Sequence, residues 1–172
     1  MEARFESPVT RIRARSQSAA DYLQSAIDCD TKLSLRARQR DLRLPSGGIR
    51  CLRYSVDLDK AARDERRNSS SATDSIIVSP AAWFWRPRIA GDDTIRVRFE
   101  SESPVRVSVP WLPVDGEPDT YVLTASPESA RAPAVFGDFT YAEAEVPGAT
   151  LRITMLGDLD DRDALVDWVA AT

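Results

Sequence analysis

The residues best equipped for chemistry in this chain sit in one phrase, Val78-Ser-Pro-Ala-Ala-Trp-Phe-Trp-Arg-Pro. On an extended strand Trp83 and Trp85 share one face, and Phe84 and Arg86 share the other. Two indoles on one face can stack on a sugar ring, with Arg86 as a hydrogen-bonding partner and Trp111 as a further ring. The same side chains serve equally as core or as a contact between domains, because Trp is highly buried on average. A second concentration is Gly157-Asp-Leu-Asp-Asp-Arg-Asp, with four carboxylates between Asp158 and Asp163. Clustered oxygens suit calcium, but the EF-hand pattern fails for want of its glycine and its terminal glutamate. The cluster therefore reads as a helix start, capped by Asp160 or Asp161.

Cys29 and Cys51 are the two cysteines, with 21 residues between them. In an oxidising compartment they would pair, and closing such a loop is worth about 3 kcal/mol in the chain-entropy model. In a reducing compartment they would be two buried thiols, and both readings stay open. The chain contains no histidine. That excludes a Ser-His-Asp triad, a Cys-His pair, a His-containing zinc site and the HExxH motif. Two thiols without a histidine also disfavour a metal site. Asp92-Asp93, after Gly91, reads as a turn, and Gly47-Gly48 as a hairpin turn. Neither is a phosphate loop, since no helix with a Lys follows. Asn68-Ser69-Ser70 matches a glycosylation sequon, which matters only in a eukaryotic secretory pathway. No catalytic constellation emerges, and no catalytic or metal-binding residue is expected in this chain.

The elements that must hold these residues are mostly strands. Eleven prolines punctuate short segments, because Pro neither donates to a ladder nor continues a helix. Between them run alternating stretches. Ile12 and Ala14 (with Thr10) oppose Arg11, Arg13 and Arg15; Leu42 and Leu44 flank Arg43; Ile95, Val97 and Phe99 oppose Arg96 and Arg98. Val105–Val109 and Leu151–Met155 repeat the pattern, apolar inward and Arg or Thr outward. Ile49–Val56 is mixed, as in a strand covered on both faces. Shorter candidates are Ile76–Val78, Tyr121–Thr124 and Phe139–Val146. The expectation is a mainly β chain, a two-layer antiparallel β-sandwich of about nine or ten strands. Two or three short helices accompany them, over Ser18–Ile27, Asp57–Arg67 and Asp161–Ala171. Asn68–Thr73 reads as a loop.

The length of 172 residues fits one domain or slightly more, and the 42% hydrophobic content is that of a globular chain. Residues 1–70 hold 15 basic and 10 acidic groups, whereas 71–172 hold 8 and 17. Strands of both halves pairing in one sheet would mix these charges. The overall pI of about 5.0, without a basic cluster interleaved with aromatics, argues against nucleic acid. No stretch approaches a membrane span, and the start lacks the apolar core of a signal peptide.

Several phrases follow one another along the chain: Cys51-Leu-Arg-Tyr-Ser-Val-Asp-Leu, Val78-Ser-Pro with Trp83-Phe-Trp-Arg-Pro, Phe136-Gly-Asp-Phe, and Val146-Pro-Gly-Ala-Thr-Leu-Arg. Together they resemble the amino-terminal region of bacterial proteins related to glycyl aminopeptidases, within the gluzincin metallopeptidases. The resemblance covers residues 9 to 172. It implies a β-rich domain similar to the saddle-like first domain of gluzincin aminopeptidases, followed by a thermolysin-like zinc domain that this chain lacks. No catalytic position carries over, and zinc is expected only in that absent domain. The implied organisation is a β-sandwich over 1–157 and a helix over 158–172 leading toward the catalytic domain. That domain is the expected partner, with Trp83, Trp85, Arg86, Trp111 and Trp168 as the residues of an interdomain or ligand surface. The alternative is a self-contained carbohydrate- or protein-binding sandwich. Cytoplasmic and periplasmic locations both fit.

Overall fold

The computed structural model describes residues 1–64, 69–72, 75–88, 93–101, 105–124, 132–157 and 160–171, with main chain alone for 69–72. Asn68 of the sequon, Gly91 and Asp92 of the turn, and Asp158 of the acid cluster lie outside the described residues. Among the described residues the fold is mainly β, with antiparallel sheets, few short helices and no barrel.

The first strand, β1 (Glu2–Val9), is followed by β2 (Ile12–Ala14), helix α1 (Ser18–Tyr22), β3 (Leu23–Asp28), β4 (Ala37–Arg38), β5 (Asp41–Leu42) and β6 (Ile49–Val56). Helix α2 (Leu58–Asp64), β7 (Ser69–Ala72), β8 (Ser75–Val78), α3 (Pro80–Trp83), β9 (Trp85–Pro87) and β10 (Thr94–Arg98) come next. The chain continues through β11 (Arg106–Ser108), β12 (Leu112–Pro113), β13 (Thr120–Thr124), β14 (Ala134–Gly137), β15 (Thr140–Val146), β16 (Ala149–Met155) and α4 (Arg162–Ala170). Of the 16 strands among the described residues, ten have four residues or more. The expected set differs from those ten: β1, β3, β7 and β14 are new, whereas the short β2, β5 and β11 fall in stretches whose alternation marked them.

The largest sheet runs β12-β13-β10-β1-β6-β3. Two four-stranded sheets, β11-β14-β8-β7 and β4-β5-β2-β9, and the β15-β16 hairpin complete the fold. In the six-stranded sheet the two halves of the sequence stand side by side, β12-β13-β10 from the second and β1-β6-β3 from the first, and they meet where β1 pairs with β10. The charges therefore mix only near that seam, where Arg53 of β6 lies 3.8 Å from Glu100.

Alternation positions most strands as expected. Ile12 and Ala14 are buried while Arg11, Arg13 and Arg15 are exposed, and Ile95 and Val97 are buried beside exposed Arg96 and Arg98. In β6, Ile49, Cys51, Leu52 and Tyr54 are all buried, as a strand covered on both faces requires. The central strand β1 is a new element. Its Ala3 and Phe5 alternate inward. Its register against β6 shifts between Arg4 and Val9, where Pro8 has no N–H to give a ladder.

Four local expectations are corrected. The helix over Ser18–Ile27 stops at Tyr22, and Leu23–Asp28 is a strand paired with β6. The i,i+4 apolar spacing is real, but pairing with a long buried strand outweighs the small helix preference. The loop over Asn68–Thr73 contains β7, whose Ser69–Ala72 pairs with β8. The Trp83–Arg86 stretch is not one strand: Trp83 closes a helical turn begun by Pro80 behind the cap Ser79. Gly47-Gly48 is a turn but not a hairpin, since β5 and β6 belong to different sheets. Gly48 adopts φ +73, and its N–H donates to Pro45 O at 2.9 Å.

Candidate functional site

The helical turn at α3 changes what the Trp-Phe-Trp phrase can do. A pure strand would expose one face of it. Here Trp83, Phe84 and Trp85 are all inside, at 2%, 3% and 1% exposure. Trp83 meets Phe84, Phe99, Trp111 and Phe136 with ring centres 5.6–5.9 Å apart, mostly edge to face. Phe99 in turn stacks on Trp111 at 6.0 Å and meets Tyr121 edge-on. Such pairs add about 0.5–1.5 kcal/mol each beyond area burial. The cluster is a core that ties α3 to the six-stranded sheet and to β14. Trp83 and Trp111 face other rings and Trp85 is 1% exposed, so the three offer no open platform to a sugar. Arg86 points outward from β9. Two further bonds fasten the core to its sheets: Tyr54 Oη accepts from Trp85 N at 3.2 Å, and Tyr121 Oη donates to Val107 O at 2.9 Å. Burial pushes both phenols above their ordinary range, and Asp119 adds to the effect on Tyr121.

Cys29 and Cys51 form a disulfide, with Cα atoms 5.3 Å apart. It crosses from the end of β3 to the middle of β6, beside the hydrogen bond from Cys29 N to Cys51 O. The preceding turn is organised by buried Asp28. One of its oxygens accepts from Asp30 N at 3.0 Å and the other from Thr31 Oγ1 at 2.6 Å. Burial alone would raise the Asp28 pKa, but these bonds and nearby Lys32 hold it below its ordinary value.

Among the described residues, the three groups that converge as a metal set would are Glu2, Cys29 and Cys51. They do not fit zinc. The two sulfurs are bonded to each other, and the Glu2 carboxylate is engaged by Arg4 at 2.9 Å and Arg53 at 2.6 Å. The carboxylates near the C-terminus have a structural use instead. Asp161 caps α4 by accepting from Ala164 N at 3.2 Å.

Helix α4 exposes an apolar stripe. None of its residues is buried, and Trp168 is 67% exposed. The helix lies against β15, where Arg162 Nη2 donates to Tyr141 O at 2.6 Å. Its stripe of Leu165, Val166, Trp168 and Val169 is covered only in part.

Two clefts flank the aromatic core. One, of about 610 Å³, is floored by apolar groups including Tyr54, Trp83, Phe99 and Phe136, and also takes in Glu100 and Asp119. The other, of about 500 Å³, is polar and holds Arg106, Arg152 and Arg162. Sequence reasoning placed Arg106 and Arg152 on outward strand faces. It had no means of telling that those faces meet, because that depends on strand order.

No protein-family model matches this sequence, and no curated protein sequence matches it significantly. Among solved structures it is similar to an aminopeptidase N family protein from Idiomarina loihiensis, with a TM-score of 0.58 at 14% identity. The likeness covers 96% of this chain and 31% of the other. At that identity it establishes a shared fold. The present chain spans about a third of the longer protein's length. Among the described residues, no helix is long and apolar enough to cross a membrane.

Proposed function

We propose that this chain is the non-catalytic amino-terminal domain of a zinc aminopeptidase-like protein, packing against a downstream peptidase domain and shaping its cleft. The observation that carries this reading is the asymmetry of the structural likeness: nearly all of this chain corresponds to less than a third of an aminopeptidase N family chain. A second observation supports it. Helix α4 ends the described chain with no buried residue and an indole 67% exposed, the kind of apolar surface that a neighbouring domain covers. Any zinc would belong to that neighbour.

The test is the coding sequence beyond codon 172. An HExxH motif with a downstream glutamate is expected within the next few hundred residues. A stop codon directly after Thr172, or no such motif, overturns the reading. A protein test follows. Trp168 fluorescence in the 172-residue chain should be quenched by acrylamide, and the longer chain should protect it.

A further inference from the structure

The polar cleft is built where β11 and β13, with Asp119 at its start, meet β15, β16 and the first turn of α4. The half of the chain from residue 71 onward holds 8 basic against 17 acidic groups. Three of those eight, Arg106, Arg152 and Arg162, line this one cleft. In so acidic a segment the remaining field is negative, so their convergence is notable.

All three side chains are exposed, and each is held at the rim of the cleft by a named contact. Arg106 Nη1 donates to Phe139 O at 2.8 Å, and Arg162 Nη2 donates to Tyr141 O at 2.6 Å. A neutral carbonyl tethers a guanidinium without cancelling its charge. Neither arginine has an ion-pair partner among the described residues. Arg152 pairs with Glu143 at 2.9 Å and lies over the Tyr141 ring at 5.4 Å. Two hydroxyls stand between the arms: Ser108 Oγ and Thr154 Oγ1 hydrogen-bond each other at 2.7 Å across β11 and β16. Asp119 is the one carboxylate among the lining residues.

We infer that this cleft binds a small oxyanion, a ligand presenting a carboxylate or phosphate group. Tethered guanidiniums offer forked N–H donors whose planar geometry matches either group. Pre-positioning lowers the side-chain entropy lost on binding. A volume of about 500 Å³ lies within the range of small-molecule sites, roughly 300–1,000 Å³. With Arg152 matched by Glu143, two guanidiniums face one carboxylate, so the charge balance favours an anion while Asp119 weakens its hold. That opposition sets a sign for the test. The site lies wholly within this chain and stands whether or not a peptidase domain follows.

Inorganic phosphate and citrate are each titrated into the full 172-residue chain, with chemical shifts followed at constant ionic strength. Saturable shifts on β11, β16 and the start of α4 are expected below about 20 mM, the weak end of small-ligand affinity. Tighter binding of citrate assigns carboxylates as the natural group, and tighter binding of phosphate assigns phosphoryl groups. Arg106→Gln should weaken binding about tenfold, the loss of one charge-assisted donor pair. Asp119→Asn should tighten it, and asparagine accepts the left-handed backbone of that residue, φ +52. Arg38→Gln, on β4 outside the cleft, should change nothing. No saturable shift, equal losses in the Arg106 and Arg38 variants, or no gain in the folded Asp119 variant each overturns the site.

Discussion

At the scale of single residues, the structure makes distinctions the sequence could not. Asp28 is one of several aspartates near Cys29, yet it alone is buried with both oxygens engaged. Its pKa lies below the ordinary 3.8. A carboxylate depressed in the fold contributes stability that is fully present above its unfolded value, and loses it as pH falls through its folded value. Asp28→Ala should therefore cost about 1–3 kcal/mol at pH 7, the loss of two buried charged hydrogen bonds. The gap from the natural protein should begin to narrow as pH falls below about 4 and go on narrowing through the folded value. Urea midpoints at pH 7 and pH 3 check both, and a gap that persists unchanged at pH 3 would assign the cost to packing. The paired glycines show the same resolution. A Cβ on Gly48 would sit 2.7 Å from Val9 O, at φ +73, whereas one on Gly47 meets nothing within 4 Å. Gly48→Ala should destabilise by about 1–3 kcal/mol and Gly47→Ala by less than about 0.5 kcal/mol. Thermal melts of the two variants decide it. The sequence pointed to a turn at both positions. Which glycine carries the strain depends on the passage of β1 overhead.

At the scale of elements, legibility followed length and periodicity. Strands β10 and β16 left clear patterns because each keeps one register over five residues or more. Helix α4 was legible from its acidic start and apolar stripe, and Asp161 does cap it. The Ser18–Ile27 segment misled because its i,i+4 apolar spacing is helical and Leu23–Asp28 carries no two-residue alternation to mark a strand. Tertiary pairing with β6 decided for a strand after Tyr22. The aromatic phrase misled for another reason. The Pro80 turn rotates Trp83 out of strand geometry, and the ring then finds partners on β14 and at Phe99 and Trp111. Helix α4 carries the prediction at this scale. Trp168 is 67% exposed, so Trp168→Ala should change the stability of the 172-residue chain by less than about 0.5 kcal/mol. If the proposed neighbouring domain covers α4, the same substitution in the longer chain should lower its melting temperature. If the short chain loses several kcal/mol instead, the indole serves this fold and not a partner.

At the scale of the whole molecule, the arrangement rests on a strand that the sequence reading passed over. Glu2, Ala3 and Arg4 of β1 pair with β10 on one side and β6 on the other. The terminal ammonium of Met1 donates to Tyr54 O at 3.0 Å. Its neighbours come from residues 49–56 and 94–98, so β1 joins the two halves of the sheet and of the sequence. The alternation of Ala3 and Phe5 is only two residues deep before Pro8 interrupts it, too little to distinguish a central strand from a frayed end. Its removal should nevertheless be decisive. Loss of Phe5 alone leaves a cavity worth about 3–5 kcal/mol. Each buried main-chain group orphaned on β6 and β10 adds about 1–3 kcal/mol. Several such terms exceed the 5–15 kcal/mol that stabilises a whole domain. A chain beginning at Thr10 should therefore show no cooperative thermal transition and no near-ultraviolet dichroism from the aromatic cluster. Adding back a peptide of residues 1–9 should restore both, because the vacated position between β6 and β10 presents two strand edges to it. A truncated chain that still melts cooperatively would mean the two halves fold around their own cores, with β1 bridging them without holding them together.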